Sequence, residues 1–291
     1  MLWHMAIHPA RRIWATLEPL HVVTYFGSGV KESALALGLR GVSQAYFAYR
    51  AAPLGAVGAG AVLATFSVYH RDAIARALPA AWEHTTPQHC LEARLALSTR
   101  VLRECGAGSA EAARAVALLT PVQQSADPTG RALFAANAEL PLPEDPVGAL
   151  WQLATSLREH RGDGHVAALI THGLTGRHAM VLQVAAGKTL QSVARTVRGI
   201  SEQEWSDAVD ELRAAGLVVG EPTSPTLTAG GGDLLDRIER ATDESSWRGA
   251  LSVLSQDAIA EVTTTLAPLV KRIRAEIIPA ASPMAMGEVE D

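Results

Sequence analysis

The stretch from Thr189 to Thr228, TLQSVARTVRGISEQEWSDAVDELRAAGLVVGEPTSPTLT, decides the fold. Thr189 to Val197 reads as a short helix and Arg198-Gly199-Ile200 as a tight turn. Ser201 then caps a second helix, with Glu204 placed to reach back to the cap. Trp205, Val209 and Leu212 recur at helical spacing and give that helix one apolar face, which Gly216 ends. Leu217 to Val219 and Pro225 to Thr228 are short extended runs with a turn between them. An amphipathic helix carrying Leu234, Leu235 and Ile238 follows. Helix, turn, helix, two-stranded wing and helix is the order of a winged helix-turn-helix.

Three segments carry a resemblance to MarR-type winged-helix families: LRAAGLV (Leu212–Val218), LTAG (Leu227–Gly230) and LLDRIERATD (Leu234–Asp243). The likeness covers Thr189 to Asp243, and it implies a ligand-responsive regulator that reads DNA as a dimer. Over most of the chain, LEPLH (Leu17–His21) with Tyr25 and Phe26, RAAPLG (Arg50–Gly55) and LREHRGDGH (Leu157–His165) resemble an actinobacterial helix-turn-helix family. No particular activity follows from that second likeness.

Outward from this unit, helix-period patterns dominate and alternating β-branched runs are nearly absent. With 291 residues, 48% hydrophobic and 19% charged, the chain has ample material for a core without metal or disulfide support. It divides around the Pro-rich stretch LPLPEDP (Leu140–Pro146). A weak echo relates the halves: the spacing from Trp14 to Gly41 nearly matches that from Trp151 to Gly176. The expectation is a mainly α protein of two tandem, pseudo-repeated winged-helix-like halves with small β wings. Its parts are an N-terminal half (1–88), a helical connector (89–145), a MarR-like winged helix (146–245), C-terminal helices (246–278) and a flexible tail (279–291).

Cys90 and Cys105 form no CxxC pair and read as free buried thiols. Met1 to Arg12 lack the apolar core of a secretory signal, and the apolar run from Ala51 to Phe66 is broken by Pro53 and glycines. A cytoplasmic protein with no membrane partner is expected. Monomer and homodimer both remain open, because an internal repeat can stand in for a second copy.

Charge opposes the DNA reading. The formal net charge is −5, and the helix that would enter the groove carries Glu202, Glu204, Asp207, Asp210 and Glu211 against Arg213. Phosphate contacts that set register need Arg or Lys, and none lies between Ala214 and Asp236.

Chemistry concentrates elsewhere. Arg158 to His165 packs two His, two Arg and two carboxylates, with Gly162 and Gly164 expected to break the helix and Asp163 to cap the next one. Glu18 and His21 share a helix face at i and i+3, with Tyr25 one turn on. Arg50 ends an aromatic helix, where it either clamps an anion or pairs with a helix end, and His70 opens a helix. The leading expectation is a small-molecule site, catalytic by acid–base or metal-assisted chemistry, in a pocket between the halves. Glu18, His21, His160 and His165 would act as acid, base or ligand, and Asp163 would orient a histidine. Tyr25, Arg50, Arg161 and His70 would bind the substrate, the arginines taking an anionic group. A divalent metal on His21, His70, His160 or His165 fits the residue types. No nucleotide cofactor is expected, since no phosphate-binding glycine loop occurs. The competing expectations are the DNA-binding regulator and a scaffold that docks through its acidic helix.

Overall fold

The structure, a computed structural model, describes residues 7–279; the tail expected from 279 onward lies almost wholly outside them. Helix α1 (Pro9–Phe26) starts on Pro9, with the His8 ring nitrogen Nδ1 accepting from the Ala10 amide at 3.2 Å. Short helices α2 (Val30–Ala36), α3 (Val42–Ala51), α4 (Ala59–Phe66) and α5 (Arg71–Ala77) complete the N-terminal half. The helix that His70 opens stops at Ala77, and Pro79 just beyond it lacks the amide needed to continue it. Then come α6 (Pro87–Glu104), α7 (Ser109–Ser125), α8 (Ala132–Ala138) and α9 (Pro146–Thr171).

Helix α9 is the axis of the molecule, packed against α1, α6, α7 and α8. It runs unbroken through Gly162 and Gly164, so the expected break and the capping role of Asp163 are both overturned. Each interior glycine costs a helix about 1 kcal/mol, which burial on all sides outweighs. Gly164 serves close approach instead: a Cβ there would lie 2.7 Å from Arg131 Nη1.

The remaining elements are α10 (Gly176–Ala185), α11 (Gln191–Arg198), α12 (Glu202–Ala214), β1 (Val218–Val219), β2 (Thr226–Leu227), α13 (Ala229–Gly249) and α14 (Gln256–Glu276). This is the winged order read from the sequence. Ser201 and Glu204 close the capping box, and the antiparallel wing pairs Val218 with Leu227 and Val219 with Thr226. Among the described residues this is the only sheet, so the expected wing of the N-terminal half is absent.

Two apolar cores result. One gathers Ile13, Leu17, Phe66, Leu102, Trp151 and Ile273, and so takes in α6 and α7 with the N-terminal half and α14. The other surrounds Trp205, with Val181, Val209, Val218 and Ile238. Helix α9 feeds both, through Leu153 and Leu157 at one end and Ala168 and Leu169 at the other. Cys90 and Cys105 are buried free thiols, as expected. No single helix among the described residues is long and apolar enough to cross a membrane. The one pair that meets that test together, Val42–Leu54 and Ala59–Phe66, is bent by 93° at its break.

Candidate functional site

The polar residues that stand out in the sequence meet, but as a lattice of ion pairs. Arg50 donates to both oxygens of Glu159, at 2.8 and 2.9 Å. Arg158 joins Glu159 to Glu18, at 2.9 and 3.0 Å. Glu18 also accepts from Trp14 Nε1 at 3.1 Å. Further along, Arg161 reaches Glu239 at 3.0 Å and Asp243 at 2.9 Å, and Arg11 meets the same two acids at 2.7 and 2.8 Å. Arg11, Arg50, Arg158 and Arg161 thus balance Glu18, Glu159, Glu239 and Asp243, tying α13 to α1 and α9. Burial pushes Glu239 up, but Arg161 and Arg11 more than reverse it and hold the carboxyl down at about 2. Glu159 is likewise held well below the carboxylate range: burial opposes its charge, and Arg50 and Arg158 overcome that. Arg50 is therefore an internal partner of Glu159, with its charge already matched.

The histidines do not converge. His21 is 1% exposed; its Nδ1 lies 3.2 Å from Thr155 Oγ1, and its ring is edge-on to Tyr25. Burial, then Arg158, depresses its pKa well below the ordinary value, so the ring is neutral. His160 sits edge-on to Phe134, with its backbone carbonyl taken by Arg131. Burial, then Arg131, brings its pKa down to about 3. His165 Nδ1 lies 3.1 Å from Thr242 Oγ1, which itself donates to the Ile238 carbonyl, so His165 is the donor. Asp163 accepts from the Phe134 amide at 3.0 Å and orients no histidine by that bond; burial raises its carboxyl to about 6. Among the described residues, no three His, Cys, Asp or Glu side chains are grouped to hold a metal. None of the alternative metal candidates, His21, His70, His160 or His165, therefore falls in such a group.

His70 has a different task. Its Nδ1 accepts from the Asp72 amide and its Nε2 meets Glu204 at 3.0 Å, while its backbone amide donates to the Arg198 carbonyl at 2.8 Å. Residues 67–73 are thereby docked on the helix-turn-helix. Gly176 makes this contact close: a Cβ there would stand 2.0 Å from the Ser67 carbonyl oxygen.

A cleft of about 200 Å³ lies over the lattice, lined by Glu18, Arg50, Arg158, Arg161, His165 and Glu239. Beside it, and sharing Tyr46 and Arg198 as the partition, is a chamber of about 520 Å³. Tyr25, Tyr46, Phe47 and Tyr69 form one wall of the chamber, and Val193, Thr196 and Val197 of α11 form the other. The rings brace one another, with Tyr25–Tyr46 centroids 4.8 Å apart and Phe47–Tyr69 centroids 4.9 Å apart. Arg198 covers Tyr69 at 4.4 Å. Burial raises the Tyr46 phenol, but Arg50, Arg198 and a hydrogen bond from Tyr69 reverse this and leave it below its ordinary value. Of this wall the sequence reading selected Tyr25. Tyr46 and Phe47 belong to the aromatic helix that Arg50 ends, and Tyr69 directly precedes His70; none of the three, nor Val193 or Val197, stood out in the sequence as a binding residue.

Helix α12 turns Glu202, Asp207, Asp210 and Glu211 outward, while Arg213 is paired with Asp210 at 2.5 Å. No curated protein and no solved structure matches the chain. A model described as a helix-turn-helix family matches residues 10–279. With the winged order, the capping box and this match together, the chain belongs to that helix-turn-helix family.

Proposed function

We propose that the protein binds a small molecule in the aromatic chamber, and that its MarR-like winged unit senses occupancy. One observation carries this reading: the chamber has rings of α1 and α3 on one side and α11, the first helix of the helix-turn-helix, on the other. A ligand there touches both bodies, so its binding free energy depends on how they sit together. Catalysis is given no part. Proton transfer needs groups that reach a substrate and titrate near neutrality. Here Glu159 is held ionised by arginines, His21 and His160 are buried neutral rings, and Asp163, raised to about 6, is bonded to the Phe134 amide and lines neither the cleft nor the chamber. In this reading Glu18, His21, His160, Asp163 and His165 hold the scaffold.

The test is titration with N-phenyl-1-naphthylamine, a neutral dye that brightens in apolar sites. A saturable rise in emission is expected, lost in Val197→Trp, whose added ring fills the chamber while circular dichroism stays unchanged. No saturable rise with the unmodified protein sinks the reading.

Family membership favours a second role, a ligand-responsive DNA-binding regulator. Its groove-facing helix would set four exposed carboxylates against phosphates. Low-salt gel shifts with genomic fragments are expected to show no specific complex through α12; a specific complex lost on substituting Gln203 or Arg213 would establish the regulator.

A further inference from the structure

Resting on the chamber reading, we infer that the ligand is an amphipathic anion, with an apolar body among the rings and an acidic head at the chamber mouth. The mouth carries the argument. A second hollow of about 490 Å³ adjoins the chamber and shares Val42, Phe47 and Val197 with it. Its charged residues are Arg40 and Arg76, and no carboxylate lines it. Both arginines are exposed, and neither has an ion-pair partner among the described residues.

The rim is also held in place. Gln44, itself buried, accepts from the Arg40 amide at 2.8 Å and donates to the Ala77 carbonyl at 3.1 Å, which links α3 to the end of α5. Arg40 Nη2 donates to the Arg76 carbonyl at 3.1 Å. Two cationic side chains therefore stand on a braced edge, next to Val42 and Val197, which are 44% and 41% exposed. A carboxylate, sulfonate or phosphate head meets two guanidinium groups there with no carboxylate to displace. In the neighbouring cleft the corresponding charges are already matched by the lattice.

Displacement of N-phenyl-1-naphthylamine tests this, with 2-naphthoate and decanoate against their neutral amides, 2-naphthamide and decanamide. At least one acid is expected to displace the dye at a concentration tenfold or more below that of its amide. The Arg40→Gln, Arg76→Gln double variant should lose that advantage while binding the dye unchanged. Whichever acid is stronger tells an aryl from an acyl body. Equal displacement by acid and amide, or an advantage that survives in the double variant, overturns the anionic head and leaves the chamber reading standing. Absence of dye binding to the unmodified protein, or binding unaltered in Val197→Trp, overturns both.

Discussion

The N-terminal half meets the winged unit in two ways, and they differ in what they leave over. Along α1, α9 and α13 the contact is four arginines against four carboxylates, buried or partly buried, with its charge balanced. Across α3 and α11 it is an aromatic wall facing valines around a cavity of about 520 Å³. The first region is far richer in reactive residue types, yet its bonding capacity is largely used within the protein. The second contains little that looks reactive, and it has the room. Density of polar residues along a chain thus marks where a fold is braced as readily as where it works.

The strongest challenge to this contrast is Glu159→Ala, which leaves Arg50 and Arg158 buried beside a missing carboxylate. Removing one partner of a buried pair costs about 3–5 kcal/mol, and urea unfolding is expected to show a loss of that order. Dye affinity of the folded fraction should change little. Full stability with lost dye binding would reverse the roles of the two regions.

Acidification probes the buried rings next. The pKa of His21 lies well below its ordinary value and that of His160 at about 3, and burial lowers His165 as well, so the unfolded chain takes up at least two protons near pH 6.5 that the folded one refuses. Asp163, raised to about 6, works the other way, because the folded state takes up its proton first. The net is at least one proton, and a stability loss of at least about 2 kcal/mol is expected between pH 7 and pH 5. Stability that rises over that interval would show the histidines to be charged in the fold.

Asp163→Asn removes the cost of a buried ionised carboxyl while keeping an acceptor for the Phe134 amide. At pH 8 it is expected to stabilise by about 1–2 kcal/mol, measured by thermal or urea unfolding. Marked destabilisation would show that the negative charge has a task at that position. The smallest effect on stability is expected from Val197→Trp, within about 0.5 kcal/mol, alongside its large effect on dye binding.

Much of the winged unit was legible in the sequence because its signals are local. Ser201 with Glu204, Gly216, and the spacing of Trp205, Val209 and Leu212 each act within one or two turns. The expected helix break at Gly162 and Gly164 does not occur, since glycine propensity counts only until packing opposes it, and α9 is packed on both sides of these glycines, through Leu157 before them and Ala168 and Leu169 after. The second wing was inferred from an echo of Trp and Gly spacing, which specifies no strand pairing.

By itself, then, the sequence determined the helical class, the order of the winged unit, its acidic outer helix, and which polar residues would be costly to bury alone. Only the tertiary structure decided what those residues do, since an ion pair such as Arg50 with Glu159 joins positions 109 apart along the chain. It alone also brought Tyr46 and Tyr69 opposite Val193 and Val197. A cavity is a property of surfaces that fail to fill the space between them, and no single segment of the chain carries that information.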